Sequence, residues 1–364
     1  MKELQFSVVV LMTLMCSALI LLMPGRVKRD KASNLSRWLM VAGLALIGAQ
    51  FLVQYLTHLR DMGVTQAVLA NLTFFVPASA LMSLSVLTLQ RQGRLTAIER
   101  WGWLTCWLVV MCGLAVAVFN DGNPLTQLSN RVRMTEMAMS VVYGAMQAYY
   151  SVMQFRELER MQAAIENYYD SERKGLTRWM KYAILVTGLM AIFVPLLIFG
   201  PNTVLIVYGL VFFWGVFMMW FSFTRYFTSN DIKRVREAEA DSEETESTLS
   251  PETMQQVNQA VERWLATNDF LKAGITSPVA ADAMNISRHQ LTMWVKASGH
   301  SSFTRWMTSL RIEEAKRVLR EHPGWTNEAV ADHCGFSRAY FQKIFKQETG
   351  LPPSAFTPDI TTKA

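Results

Sequence analysis

Hydrophobic and polar positions divide this 364-residue chain into two unlike parts. From Met1 to Phe227 apolar runs dominate, whereas from Asn230 to Ala364 apolar residues recur at helical spacing among polar ones. Seven apolar stretches approach the roughly 20 residues a helix needs to cross a hydrocarbon core of about 30 Å. They lie near Phe6–Met23, Trp38–His58, Thr65–Leu89, Trp101–Phe119, Met134–Met153, Trp179–Phe199 and Val204–Thr224. The pattern predicts an all-α chain: a seven-helix transmembrane bundle with cytoplasmic loops over 1–236, a linker over 237–253 and a soluble helical domain over 254–364.

The charges between the stretches predict an orientation. With the N-terminus outside, one set of connections carries Arg26, Lys28, Arg29, Lys31, Arg37, Arg91, Arg94, Arg100, Arg156, Arg160, Arg173, Lys174, Arg178, Arg225, Lys233, Arg234 and Arg236. The opposite set carries Lys2, Arg60, Arg131 and Arg133. Seventeen cations against four is a strong positive-inside bias, and it places the C-terminal domain in the cytoplasm. The basic residues directly after the first stretch, with no small-residue cleavage site, mark it as a span and not a removable signal peptide.

Polar residues inside the apolar part are few. Gln50, Gln54 and His58 are four apart and share one helical face; Asn71, Glu136 and Gln147 are further candidates for a pocket open to the outside. The alternative is hydrogen bonding between helices together with polar residues at span ends. Between the fifth and sixth stretches, Phe155, Leu158, Met161, Ile165, Tyr168 and Tyr169 recur at helical spacing, as an apolar face on a cytoplasmic continuation of the fifth span. That face either packs on a neighbour or extends into solvent.

Residues 237–253 are rich in Glu, Asp, Ser and Thr, the composition of a flexible spacer. Such a tether transmits rotation poorly, so a signal is expected to act by pairing two C-terminal domains.

The C-terminal part repeats one local grammar. Near 276–297, a short helix over Val279–Met284 precedes Asn285 as a left-handed turn, and Ser287 caps a second helix. On that helix Leu291, Trp294 and Val295 face inward, leaving Arg288, His289, Thr292 and Lys296 on the other side. Near 326–347 the pattern returns: a helix over Glu328–Cys334, a turn at Gly335, a cap at Ser337, then Phe341, Ile344 and Phe345 inward. Arg338, Gln342, Lys343 and Lys346 look outward there, the residue types that anchor phosphates and read base edges. An amphipathic helix over 303–320 joins the two units. Its length, about 27 Å, suits two reading helices placed one DNA turn, roughly 34 Å, apart.

The segment VADHCGFSRAYFQKIFKQETGLPPSAF, residues 330–356, resembles the C-terminal signature of AraC/XylS-type bacterial transcription regulators. RIEEAKRVL, residues 311–319, is similar to that family's linker helix. The resemblance implies base contacts from His289, Thr292 and Met293 in the first unit and from Arg338, Ala339, Gln342 and Lys343 in the second. Met293 departs from the family, which often has a basic residue there. Arg311 is expected to form a structural salt bridge, not a DNA contact.

Composition adds little. Hydrophobic residues make up 51% and charged ones 18%, high and low respectively for a soluble protein. A net charge of +6 alone does not separate nucleic-acid binding from an excess of cytoplasmic cations. Cys16, Cys106, Cys112 and Cys334 have no metal-ligand spacing and are expected to be buried thiols in a reduced compartment. No catalytic motif, cofactor or metal site is read from the sequence, so an enzyme is not expected.

Together these features predict a one-component transcription regulator in the bacterial inner (cytoplasmic) membrane, multi-pass, with the N-terminus outside. It would couple an external or membrane signal to promoter binding, with activation implied by the resemblance. Expected partners are double-stranded DNA, membrane lipid, RNA polymerase, a second copy in a homodimer, and an unidentified signal ligand. A polytopic receptor or transporter whose tail docks a protein is the rival reading.

Overall fold

The computed structural model describes residues 2–58, 64–121, 130–170, 174–199, 202–229, 235–236 and 249–356, and its regular elements are helices. The chain separates into two compact units: Met1–Arg160 with Gly175–Ile232, and Met161–Lys174 with Lys233–Ala364.

The first unit holds α1 (Lys2–Leu21), α2 (Gly25–Arg29), α3 (Lys31–Thr57), α4 (Val64–Gln90), α5 (Ala97–Asp121), most of α6 (Asn130–Tyr168), α7 (Arg178–Phe199) and α8 (Asn202–Thr228). Seven long helices thus follow the seven apolar stretches. Four of them are long and apolar enough to cross a membrane among the described residues: Lys31–Thr57, Val68–Gln90, Ala97–Asp121 and Val207–Thr228. The expected seven spans are therefore not all matched. The apolar part of α1, Gln5–Leu21, is shorter, and α6 carries Glu136, Gln147 and Gln154 among its apolar residues.

Helix α4 is central. It packs against α3, α5 and α7, and most of its apolar length is buried. Helix α5 is the reverse: it is strongly apolar, yet little of it is buried. Trp101, Leu108, Val109, Val116 and Phe119 point outward from it. An apolar face of that extent is of the kind that a partner surface or a hydrocarbon surround covers.

Inside the bundle, polar groups along α4 join it to its neighbours. Ser36 Oγ donates to Ser85 O at 2.8 Å, Tyr143 Oη to Ser79 Oγ at 3.0 Å, and Gln154 Nε2 to Ser83 O at 2.9 Å. At the helix ends, Arg26 donates to the carbonyls of Phe227, Thr228 and Ser229, satisfying the last turn of α8. Arg91 bridges Glu99 and Glu157, the latter at 2.9 Å.

Helix α6 is one piece of 39 residues, about 58 Å long. It merges the fifth apolar stretch with the continuation beyond it. On that continuation Leu158, Met161, Ile165 and Tyr169 are buried and Phe155 is exposed, so most of the face is already covered within the chain.

All four cysteines are free thiols, but only Cys334 is buried. Cys112 is exposed, Cys16 and Cys106 are intermediate, and the expected burial fails for these three because their helices turn apolar residues outward.

The second unit holds α9 (Pro251–Leu265), α10 (Ser277–Met284), α11 (Arg288–Ala297), α12 (Phe303–Glu321), α13 (Asn327–His333) and α14 (Arg338–Thr349). Ser250 caps α9 by accepting from Thr253 N at 3.2 Å, so helix begins three residues before Met254, inside the range read as linker. Residues 237–248 of that linker lie outside the described residues.

Candidate nucleic-acid interface

Local chemistry sets the first helix-turn-helix. Helix α10 ends at Asn285, whose φ of 56° gives the left-handed turn, a conformation asparagine tolerates better than most residues. Ser287 then starts α11 with a capping box: its Oγ accepts from Gln290 N at 3.1 Å, and its own N–H donates to Gln290 Oε1 at 2.8 Å. The Ser-x-x-Gln spacing that signals this box was present in the sequence. Leu291 and Val295 are buried with Val257, Trp264, Ala281, Met284, Trp306 and Met307, which fixes the face α11 turns outward.

That outward face is only partly open. Lys296 is exposed, whereas Arg288, His289, Thr292 and Met293 are intermediate.

The second unit presents its face fully. Thr326 caps α13 by accepting from Ala329 N at 3.2 Å, and Gly335, at φ 69°, makes the turn. Ser337 occupies the N-cap of α14, but its side chain makes no capping hydrogen bond. Phe341, Ile344 and Phe345 are buried with Val330, Ala331 and Phe336. Arg338, Ala339, Gln342, Lys343 and Lys346 are all exposed, on the side opposite that core. Arg338 reaches Glu328 at 3.4 Å across the turn.

Helix α12 belongs to both cores. Phe303, Trp306 and Met307 enter the first, and Ile312, Ala315 and Val318 the second. At 19 residues it is about 28 Å long. Its far half is tied to α13 through Glu314, which meets Arg317 at 2.6 Å and His333 at 3.1 Å.

Between the two halves sits Arg311, fully buried. It donates to Phe270 O at 2.8 Å and Lys272 O at 2.7 Å, and pairs with Asp170 at 2.8 Å. The structural salt bridge read from the sequence is thus present. Its partner comes from 141 residues upstream, just after α6, and no local signal in the sequence marked it.

Of the residues read as a pocket, Gln50, Gln54, Asn71, Glu136 and Gln147 are buried. Gln50 donates to Asn71, and Gln147 to Ser83 and Ser151 at 3.3 Å each. His58 stands apart: it is exposed at the end of α3, with φ 53°, so it does not join the buried set. Glu136 keeps one carboxylate oxygen without a hydrogen-bond partner. Gln147 also lines a groove of about 580 Å³ with Gly144, Ala148, Ser151, Gly188 and Ala191.

A family of helix-turn-helix domains matches residues 280–358, which takes in most of the first unit, the helix between the two and the whole second unit. No curated protein and no solved structure matches the chain. Residues 280–358 are thus similar to helix-turn-helix domains, in keeping with the two helix-turn-helix units described above.

Proposed function

We propose that this protein is a membrane-bound one-component transcription regulator that couples a signal received by its helical bundle to promoter binding. One observation carries the reading. The same chain holds α5, whose apolar side chains turn outward, and a helix-turn-helix domain whose Arg338, Gln342, Lys343 and Lys346 are exposed together.

In this reading Arg338, Lys343, Lys346, Arg288 and Lys296 meet phosphates or guanine edges, and Gln342, His289, Thr292, Met293 and Ala339 contact bases or thymine methyls. The exposed face of α14 is the stronger anchor and the half-buried face of α11 the weaker. The C-terminal domain faces the cytoplasm of a bacterium, with the bundle in the inner membrane and the N-terminus outside. Support for that orientation comes from pairs within the bundle. Arg26 meets the end of α8, and Arg91 meets Glu157, so residues expected on the cytoplasmic side are neighbours.

The signal is received within the bundle. Glu136 and Gln147 are buried polar groups with an unused oxygen each, and Gln147 borders the groove beside α7. Output is activation through RNA polymerase.

Crosslinking and sequencing of DNA bound to the full-length chain in intact cells tests this, with an Arg288→Ala/Lys343→Ala double variant beside it. Discrete promoter peaks lost in the variant are expected. Peaks that survive the double substitution overturn the assignment of the reading helices. A wild-type chain that crosslinks to protein and to no DNA favours the docking-tail alternative.

A further inference from the structure

Resting on the two-groove DNA-binding reading above, we propose that Asp170 is a positioning residue for DNA recognition, through which helix α6 sets the placement of the two reading helices. Three observations converge on it.

The first is the bonding of Asp170 itself. Its side chain is 2% exposed, and one oxygen accepts from Gly274 N at 2.8 Å, Ile275 N at 3.1 Å and Arg311 Nη2 at 2.8 Å. Tyr169, the residue before it, forms a β-bridge with Thr276 and accepts from the hydroxyl of Thr304. Thr276 is the N-cap of α10, and Thr304 and Arg311 lie on α12. The end of α6 therefore grips both the loop that leads into the first helix-turn-helix and the helix that joins the two units.

The second is what that loop touches. Arg311 binds the carbonyls of Phe270 and Lys272, and its guanidinium carbon sits 5.8 Å from the ring centre of Phe336 in the second unit. The turn glycine of the second unit, Gly335, lies against Leu271, and Ala273 N is 3.3 Å from where its Cβ would be. The loop 270–276 is a wedge shared by both units; Asp170 holds its amides and Arg311 its carbonyls. Removing the carboxylate leaves a fully buried guanidinium without a counter-charge, which the loop relieves only by moving.

The third is the connection. The 237–253 segment has the composition of a flexible spacer. Helix α6 is instead continuous from Asn130 to Tyr168, and the two residues after it make these contacts. A rotation of α6 reaches the wedge directly. A signal then changes the spacing of α11 and α14 within one chain, without requiring that two chains be paired.

The test uses the full-length chain in membrane vesicles and a DNA fragment carrying its strongest crosslinked promoter. Nuclease footprints are compared for wild type, Asp170→Asn and Asp170→Glu. Wild type protects two successive major grooves. Asp170→Asn keeps one groove, binds about ten-fold or more weakly, and is partly rescued in Asp170→Glu. A second series inserts one or four alanines between Arg160 and Met161. One residue turns the helix by about 100° and shifts promoter output in cells, whereas four residues, near a full turn, restore it towards wild type.

A two-groove footprint of wild-type affinity in Asp170→Asn overturns the proposal. So does promoter output indifferent to both insertions, or loss of both grooves alike in Asp170→Asn and Asp170→Glu, which marks a role in folding alone. No protection by wild type defeats the DNA-binding reading itself, a result distinct from failure of the Asp170 proposal.

Discussion

Gly335 faces the backbone carbonyl of Leu271 so closely that a methyl group at 335 would overlap it. The contact joins the turn of the second helix-turn-helix to the loop that precedes the first. The left-handed φ of 69° adds a second demand, since a Cβ is disfavoured there whatever the space. Gly335→Ala is expected to destabilise the C-terminal domain by roughly 2–5 kcal/mol, the sum of left-handed strain and overpacking. Proteolysis of the full-length chain across a temperature series measures it.

Arg338, which we propose meets DNA phosphate, pairs with Glu328. The pair is exposed at 3.4 Å, so its loss costs at most about 1 kcal/mol of stability. Glu328→Gln is expected to strengthen DNA binding by a few-fold at low salt. Lys343→Ala is expected to weaken it and to lower the slope of log affinity against log salt by about one. Filter binding across salt concentrations reads both changes.

Glu314 gives the C-terminal domain a pH dependence. Hydrogen bonds from Arg317 hold its carboxyl below the usual range, against burial, and His333 adds to the effect. A carboxyl depressed on folding contributes stability that is present above its unfolded pKa. That stability is lost as pH falls through the lower, folded value. Glu314→Gln is expected to melt below wild type at neutral pH, with the difference shrinking as both are taken below pH about 4. A difference that stays constant down to acid pH would remove the assigned cause.

Cys334 lies under α14 with no exposed surface, and burial pushes its thiol up to about 12. A buried neutral thiol is a poor nucleophile. A maleimide reagent is expected to leave Cys334 unmodified in the folded chain and to label it after denaturation. Mass spectrometry of the modified peptides decides, and fast labelling of the native protein would refute it.

Gly43 sets the approach of α3 to α4. A Cβ there would run into Met82 and come within 3.1 Å of the carbonyl of Ala78. Small residues at such crossings let membrane helices pack closely. Gly43→Val is expected to lower the melting temperature of the detergent-solubilised chain by several degrees, while Gly144→Ala, whose Cβ meets nothing within 4 Å, does not lower it.

Much of the molecule was legible from neighbours in the sequence. Apolar residues three and four apart announced α11 and α14, and the same pattern fixed which side chains of α14 stay exposed. Asn285 and Gly335 announced the turns, because few other residues accept a positive φ. These features depend on contacts within one or two helical turns, so one stretch of sequence contains both partners. The span count was less secure: α6 and α1 mix length, polarity and apolar content in ways that a length rule does not resolve.

The remaining features required the folded chain. Gln50 and Asn71, read as lining for a pocket, are bonded to each other across two helices, a pairing that periodicity did not show. His58 shared their face by periodicity, but it falls at the helix end and is exposed. Arg311 announced a salt bridge, and its own helix offered several carboxylates; the one it takes, Asp170, lies 141 residues away. Periodicity determines which side of a helix is apolar, but it carries no term for what that side meets. Tertiary packing supplied the meeting of α6, α12 and the 270–276 loop, because a buried charge is tolerated only where a distant partner arrives to neutralise it.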